Sequence, residues 1–191
     1  MGIIELHARA VRASIAVVEL ADIDDFDRPT PCAGWTLANL LEHMVVQHRG
    51  FAGAARGAVT EPEQWAVVPL GAFAVSAYVD AANDVLAAFA EDGVLERSFS
   101  LPEFSTTRQF PGKVAVEAHF IDYVVHGWDV ARSLGQPYEL DDEVIAEATR
   151  LAEAIPAGDR RRPFFVDPVP GPDQGLDHVV AHLGRSPSWP N

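Results

Sequence analysis

The chain has 191 residues, the size of one ordinary domain whose core buries most of its surface. Asp and Glu outnumber Lys and Arg by 28 to 14, and the formal charge of −14 argues against binding to nucleic acids or anionic membranes. The single cysteine excludes an internal disulfide. Charges interrupt every apolar stretch before the roughly 18 residues of a membrane span, and the N-terminus lacks a signal-peptide block. We therefore expect one cytoplasmic domain spanning residues 1–191.

Apolar residues recur at three- to four-residue spacing in the first half of the chain, a pattern typical of amphipathic helices. The spacing predicts a helix over 3–21, a second helix that begins after Thr36, and a third helix over 70–91. Thr36 is a typical N-cap because its hydroxyl accepts a hydrogen bond from the first helical turn. The Asp- and Pro-rich residues 22–35 form a predicted loop.

The second half of the chain continues this helical pattern after an interruption. Residues 94–110 alternate polar and apolar side chains, which predicts an irregular loop or a short hairpin. A fourth helix starts near Pro111 and ends at Gly135. A fifth helix is predicted over 141–155, and the Pro- and Gly-rich C-terminal segment includes a short helix over 175–183. Helices dominate, so the sequence predicts an all-α bundle.

Asp122 and His126 stand four positions apart on the fourth predicted helix, so their side chains share one face. Their apolar neighbours indicate burial, and a buried carboxylate is costly unless it is paired or bound to a metal. His43 on the second helix is a candidate third ligand. Two imidazoles and one carboxylate suit Zn first, with Ni or Fe as alternatives. Taken alone, the Asp–His pair does not require a metal. A hydrogen bond between Asp122 and His126 within the helix, or an Asp122 side chain that points to solvent, also explains it.

Most of the other polar residues that could take part in a site have two interpretations each. His119, three positions before Asp122, is either a rival ligand or a partner that orients Asp122. His48 is expected to be structural. Cys32 is a thiolate ligand or, more simply, a packed or exposed bystander. The three arginines at 160–162 form a solvated loop or a local ion-pair site.

Three stretches of the sequence resemble one actinobacterial family. Residues 30–36 (TPCAGWT) followed by 40–43 (LLEH) resemble the entry to its second helix, and residues 122–131 (DYVVHGWDVA) resemble a later helix. Residues 184–189 (GRSPSW) are similar to its usual ending. The family is that of the DinB-like metal-binding proteins, in the branch similar to the N-terminal domain of mycothiol-dependent maleylpyruvate isomerase. The resemblance covers essentially the whole chain.

This resemblance implies a DinB-like four-helix bundle with an additional helix, in which His43, Asp122 and His126 hold a divalent metal ion. The isomerase has glutamate as its carboxylate ligand, and Asp122 is shorter by one methylene. The resemblance also implies mycothiol, or a similar low-molecular-weight thiol such as bacillithiol, as cosubstrate. The isomerase carries a second, C-terminal domain that has no counterpart within these 191 residues, which argues against maleylpyruvate itself as the substrate.

The sequence therefore predicts a metal-binding protein, first of all a thiol-dependent transferase or isomerase that acts on a small electrophile. A metal-dependent hydrolase would use the same ligands, and a metal-stabilised binding module that forms a homodimer is the non-enzymatic alternative. Trp35 or Trp128 would form a wall of the pocket. Arg132, or one of the arginines at 160–162, would bind a carboxylate of the thiol or the substrate.

Overall fold

The computed structural model describes residues 2–58, 61–156 and 165–191. Its six α-helices, which make up most of the described chain, are α1 (Ile3–Val18), α2 (Leu37–Ala55), α3 (Ala74–Phe89), α4 (Gly112–Leu134), α5 (Asp142–Ala154) and α6 (Gly175–His182). An antiparallel hairpin of β1 (Ser98–Ser100) and β2 (Gln109–Pro111) connects α3 to α4. The predicted all-α fold class is confirmed.

The helix boundaries follow the local signals in the sequence. Thr36 caps α2, since its hydroxyl accepts a hydrogen bond from the backbone N–H of Asn39. Gly135 ends α4 with a φ of 67°, a left-handed conformation that glycine adopts without strain. The predicted third helix begins later than expected, because a 3₁₀ turn at Gly71–Phe73 precedes α3. The hairpin, rather than an irregular loop, is the correct prediction for the segment before α4.

Helix α4 lies at the centre of the bundle. It packs along α1 and also contacts α2 and α5, whereas α3 packs along α2. Buried side chains therefore occur almost all round α4, as its apolar sequence predicts. A polar side chain on the buried part of this helix therefore needs a partner inside the protein.

By length and composition alone, one segment of the described chain, Gly71–Phe89, is apolar enough to cross a membrane. In the fold this segment contains α3, which packs against α2 and buries Tyr78 and Val85 in the core. The core helix of a bundle passes the same test, so the segment is only a weak indication of a membrane span.

Three histidines form a hydrogen-bonded cluster inside the bundle. His7 on α1, His48 on α2 and His119 on α4 are at most 1% exposed. Nε2 of His7 lies 2.8 Å from Nδ1 of His119, and Nε2 of His119 lies 3.2 Å from Nδ1 of His48. His48 is therefore structural, as expected. Both ring nitrogens of His119 are engaged, so neither of its predicted roles, as a metal ligand or as a partner of Asp122, fits the structure.

This histidine cluster is electrically neutral near pH 7. Burial lowers the pKa of His7 to about 3 and places the pKa of His48 and His119 well below the ordinary value. Three neutral rings carry three N–H protons for two internal hydrogen bonds, so one N–H is left over at an end. The two end atoms, Nδ1 of His7 and Nε2 of His48, have no hydrogen-bond partner among the described residues.

Acid is expected to destabilise the fold through this cluster. In the unfolded chain the three histidines regain a pKa near 6.5 and take up protons below it, whereas the folded chain binds those protons only at much lower pH. The free energy of unfolding therefore falls as the pH decreases from about 6.5, by up to about 1.4 kcal/mol per pH unit for each histidine. Urea unfolding at pH 7.5 and pH 5.5 measures this drop.

His48→Gln removes one histidine of the cluster, so the drop in stability should become smaller in this variant. His178→Gln serves as the control, because His178 bonds Glu153 at the surface and lies outside the cluster. A drop of equal size in wild type and in His48→Gln would show that the cluster does not cause it.

Candidate metal centre

Helices α2 and α4 bring the three predicted ligands together. The ring centroids of His43 and His126 are 5.3 Å apart, and Nε2 of His126 lies 3.4 Å from Oδ1 of Asp122. One ligand atom from each of the three residues lies within 4.8 Å of the other two. Zinc–ligand bonds of about 2.0–2.1 Å place tetrahedral ligand atoms about 3.3 Å apart, so small side-chain movements suffice to bring the atoms around one ion.

The protonation of His126 is set by the carboxylates on either side of its ring. Nδ1 lies 3.0 Å from Oδ2 of Asp129, and Nε2 faces Asp122. Burial acts to lower the pKa of His126, but the charge of Asp122 and the hydrogen bond to Asp129 outweigh it and raise this pKa well above the ordinary value. A positive charge between Nε2 and Asp122 is therefore strongly favoured, and a bound cation can supply it in place of the proton.

The protonation state of His43 differs from that of His126. Burial, followed by the charge of His126, lowers the pKa of His43 to about 4, so the ring is neutral and keeps a lone pair near pH 7. Neither of its ring nitrogens has a hydrogen-bond partner in the part of the chain that the structure describes. The ring contacts Trp35 and His126, at centroid distances of 5.0 and 5.3 Å. A neutral imidazole with a free nitrogen is the form that binds a metal.

A second polar group lies behind His126. Oδ2 of the fully buried Asp129 is 3.2 Å from the thiol of Cys32 and 3.2 Å from Nη2 of Arg185. Cys32, His126 and Asp129 also have the spacing of a metal-binding group. There, however, Nη2 of Arg185 lies 3.4 Å from the cysteine sulfur and supplies the positive charge itself. Cys32 is therefore not an isolated bystander.

Asp129 orients the ring of His126 toward the first group, which consists of His43, Asp122 and His126. Charges from Arg185 and His126 hold the pKa of Asp129 below its ordinary value despite the opposing effect of burial, so the carboxylate is ionised. An ionised Asp129 accepts a hydrogen bond from Nδ1 of His126 and leaves Nε2 directed at Asp122. A carboxylate behind a metal-binding histidine fixes the ring and its tautomer in this way.

The first group opens into a cavity of about 760 Å³. His43, Asp122 and His126 form its polar end, and Trp35 lies on the wall, as the sequence predicted. Much of the remaining lining is apolar and comes from α2, the hairpin loop, α4, α5 and the residue after α5, including Phe51, Phe104, Val114, Ile121, Leu151 and Ile155. The cavity suits a molecule with a polar reacting end and an apolar body.

Two predicted pocket residues lie elsewhere. Trp128 and Arg132 line a smaller cavity of about 380 Å³ beside α6. The guanidinium of Arg132 lies 5.1 Å from the centroid of the Trp128 ring and donates a hydrogen bond to the carbonyl of Pro187. The prediction that they wall the metal pocket or bind a carboxylate there is therefore wrong. The arginines at 160–162 lie outside the described residues.

Sequence reasoning missed Asp129 and its partner Arg185. It also missed Glu103, which lies on the cavity wall and accepts a hydrogen bond from Gln47 of α2. The spacing of three between His126 and Asp129 on one helix was a usable signal. Arg185 lies far along the chain from α4, and Glu103 lies in the hairpin loop, where no periodic pattern connects it to α2. The contacts of Arg185 and Glu103 follow from the packing of the helices and cannot be read from the sequence pattern.

Comparisons with known proteins point to one family. The family model of the mycothiol maleylpyruvate isomerase N-terminal domain matches residues 7–131, which include all three residues of the first group. Uncharacterised proteins from two strains of Mycobacterium tuberculosis, CDC 1551 / Oshkosh and ATCC 25618 / H37Rv, are each 31% identical over 189 residues, covering 94% of this chain and 96% of theirs. No solved structure gives a significant match.

Arg185→Met is expected to destabilise the protein, because it leaves the buried carboxylate of Asp129 without its arginine. Breaking a buried ion pair from one side costs about 3–5 kcal/mol. Arg9→Met is the matched control, since Arg9 pairs with Glu5 and Glu143 at the surface, where such pairs contribute about 0–1 kcal/mol. Urea unfolding of both variants measures the difference, and equal losses would contradict the structural role of Arg185.

Proposed function

We propose, since the chain belongs to the mycothiol maleylpyruvate isomerase N-terminal domain family, that His43, Asp122 and His126 bind a divalent metal ion. The observation that carries this proposal is the convergence of three donor atoms from two helices, within 4.8 Å of one another, at the polar end of a cavity. Two imidazoles and one carboxylate suit Zn first, with Ni or Fe as alternatives, and leave coordination positions for a further ligand.

The proposed activity is that of a transferase or isomerase with mycothiol or a similar low-molecular-weight thiol as cosubstrate. A bound divalent cation lowers the pKa of a thiol that coordinates it, so the nucleophilic thiolate forms near neutral pH. Asp129 and Arg185 hold His126 in position for this role. The apolar side chains that line the same cavity would accept the electrophile and limit the access of water to the thiolate.

The ligand set is tested by metal content. His43→Ala, Asp122→Ala and His126→Ala are each expected to lose stoichiometric zinc after dialysis against Zn²⁺, because each removes one of three ligands. Asp129→Asn keeps all three ligands and is expected to weaken zinc binding by about 10- to 100-fold. Elemental analysis of the dialysed proteins measures the occupancy.

His178→Ala is the control for this experiment, because His178 lies on α6 and bonds Glu153 rather than the site. It should keep full zinc occupancy. Full occupancy in His126→Ala would show that the ligand assignment is wrong, and unchanged occupancy in all three ligand variants would show that the group does not bind the metal.

The activity is tested with mycothiol and 1-chloro-2,4-dinitrobenzene, an aromatic electrophile that fits an apolar cavity. The zinc-loaded protein is expected to accelerate the substitution of chloride by the thiol, and His126→Ala is expected to lose this acceleration. Absorbance of the thioether product measures the rate. Acceleration without thiol would favour a metal-dependent hydrolase, and a protein that binds zinc but accelerates neither reaction would favour the binding module.

A further inference from the structure

We propose that Glu103 is the general base of this site, which accepts the proton that a thiol loses when it binds beside His43 and His126. This inference rests on the proposed thiol-dependent function and names the residue that completes it. Its basis is the position of Glu103 on the wall of the same cavity, on an element separate from the helices that carry the ligands.

A hydrogen bond from α2 fixes the position of Glu103. Nε2 of Gln47 donates to Oε2 of Glu103 at 2.7 Å, and Gln47 is only 5% exposed. Gln47 follows His43 by one helical turn, so the two side chains share a face with their Cβ atoms about 5–6 Å apart. The carboxylate is therefore held on the cavity wall within reach of a small molecule bound at His43.

The loop that carries Glu103 is itself anchored on both sides. Leu101, two residues before Glu103, is buried in the core. The ring of Phe104, one residue after it, packs edge-to-face on Phe51 of α2 and on Phe110 of β2. These contacts leave the Glu103 side chain to project from a fixed segment of backbone.

Glu103 differs from the other described carboxylates of the cavity wall in having no lysine, arginine or histidine partner. Glu117 pairs with Lys113 and Arg150 at the surface, and Asp122 belongs to the ligand group. Glu103 forms no ion pair with any residue that the structure describes, and its Oε1 accepts no hydrogen bond from them. A carboxylate with one anchored oxygen and one free oxygen is suited to accept a proton.

The electrostatic surroundings favour the protonated form of this carboxylate. Glu103 is exposed on the cavity wall, yet loss of hydration there raises its pKa, the hydrogen bond from Gln47 opposes this effect, and the negative charge of Asp122 adds to it. A base whose pKa lies closer to neutral pH accepts a proton from a thiol more readily than an ordinary glutamate does.

The proton and the electrons balance over one cycle. The thiol gives its S–H proton to Oε1 of Glu103, and the electron pair of that bond stays on sulfur. The sulfur then forms a bond to the carbon of the electrophile, and the displaced group leaves with the electron pair of its own bond. Glu103 releases the proton to the leaving group or to solvent and returns to the carboxylate form.

Glu103→Gln tests this role because it removes the base but keeps a polar side chain that can still bond Gln47. Calorimetric titration of the zinc-loaded protein with 2-mercaptoethanol at pH 7, in phosphate and in Tris buffer, counts the protons released to the buffer. Wild type is expected to release fewer protons per thiol bound than Glu103→Gln, because Glu103 can retain part of the proton and a glutamine cannot. Glu103→Asp restores a carboxylate and is expected to reduce the release again.

The same variant is expected to keep full zinc occupancy while its turnover of mycothiol and 1-chloro-2,4-dinitrobenzene falls by about 10²–10⁴-fold. Glu19→Gln, which changes an exposed glutamate at the end of α1, is the matched control and should behave as wild type. Equal turnover together with equal proton release by wild type and Glu103→Gln, with thiol bound by both, would overturn the role of Glu103 alone. Absence of zinc or thiol binding in wild type would refute the proposed function and this inference with it.

Discussion

The charge of Asp129 is the constraint on which the site depends. This carboxylate is fully buried on the central helix α4, where an uncompensated charge would cost several kcal/mol. Arg185, from the segment after α6, and His126, one turn earlier on α4, both contact its Oδ2. One interaction thus holds the C-terminal segment against the bundle and also orients His126. The packing of the chain end and the geometry of the site are consequences of the same buried charge.

Neighbouring carboxylates give His126 a different pKa from the histidines of the core. His7, His48 and His119 bond one another, and burial keeps them neutral. His126 is equally enclosed, yet its pKa is raised because Asp122 and Asp129 lie on either side of its ring. Burial alone therefore does not distinguish His126 from the histidines of the core. The position of the acidic side chains does.

Sequence patterns within a single helix predicted the features that depend on that helix alone. The apolar periodicity gave the helices, Thr36 and Gly135 marked two of their ends, and the spacing of Asp122 and His126 placed both side chains on one face. The partner of His119 could not be predicted in this way, because His7 lies 112 residues away and meets it only through the register of α1 against α4.

The same reason explains the other residues that the sequence did not reveal. Gln47 and Glu103 are 56 residues apart and belong to a helix and to a hairpin loop. Arg185 reaches Asp129 across 56 residues as well. Such contacts depend on how elements pack, which apolar periodicity along one element does not specify. The proximity of His43, Asp122 and His126 was accessible to sequence reasoning because two of them share a helix and the third lies in a segment that resembles the family.

The three acidic residues of α4 differ in how their charges are compensated. Glu117 is neutralised at the surface by Lys113 and Arg150, and Asp129 is neutralised in the interior by Arg185. Asp122 has no lysine or arginine partner within the described chain, and its contact is the ring of His126. Each other acid of this helix has a side-chain cation of its own. The remaining acid, Asp122, faces the rings of His43 and His126 and raises the pKa of His126. In the proposed metal complex, a bound cation would take the place of the His126 proton in compensating the charge of Asp122.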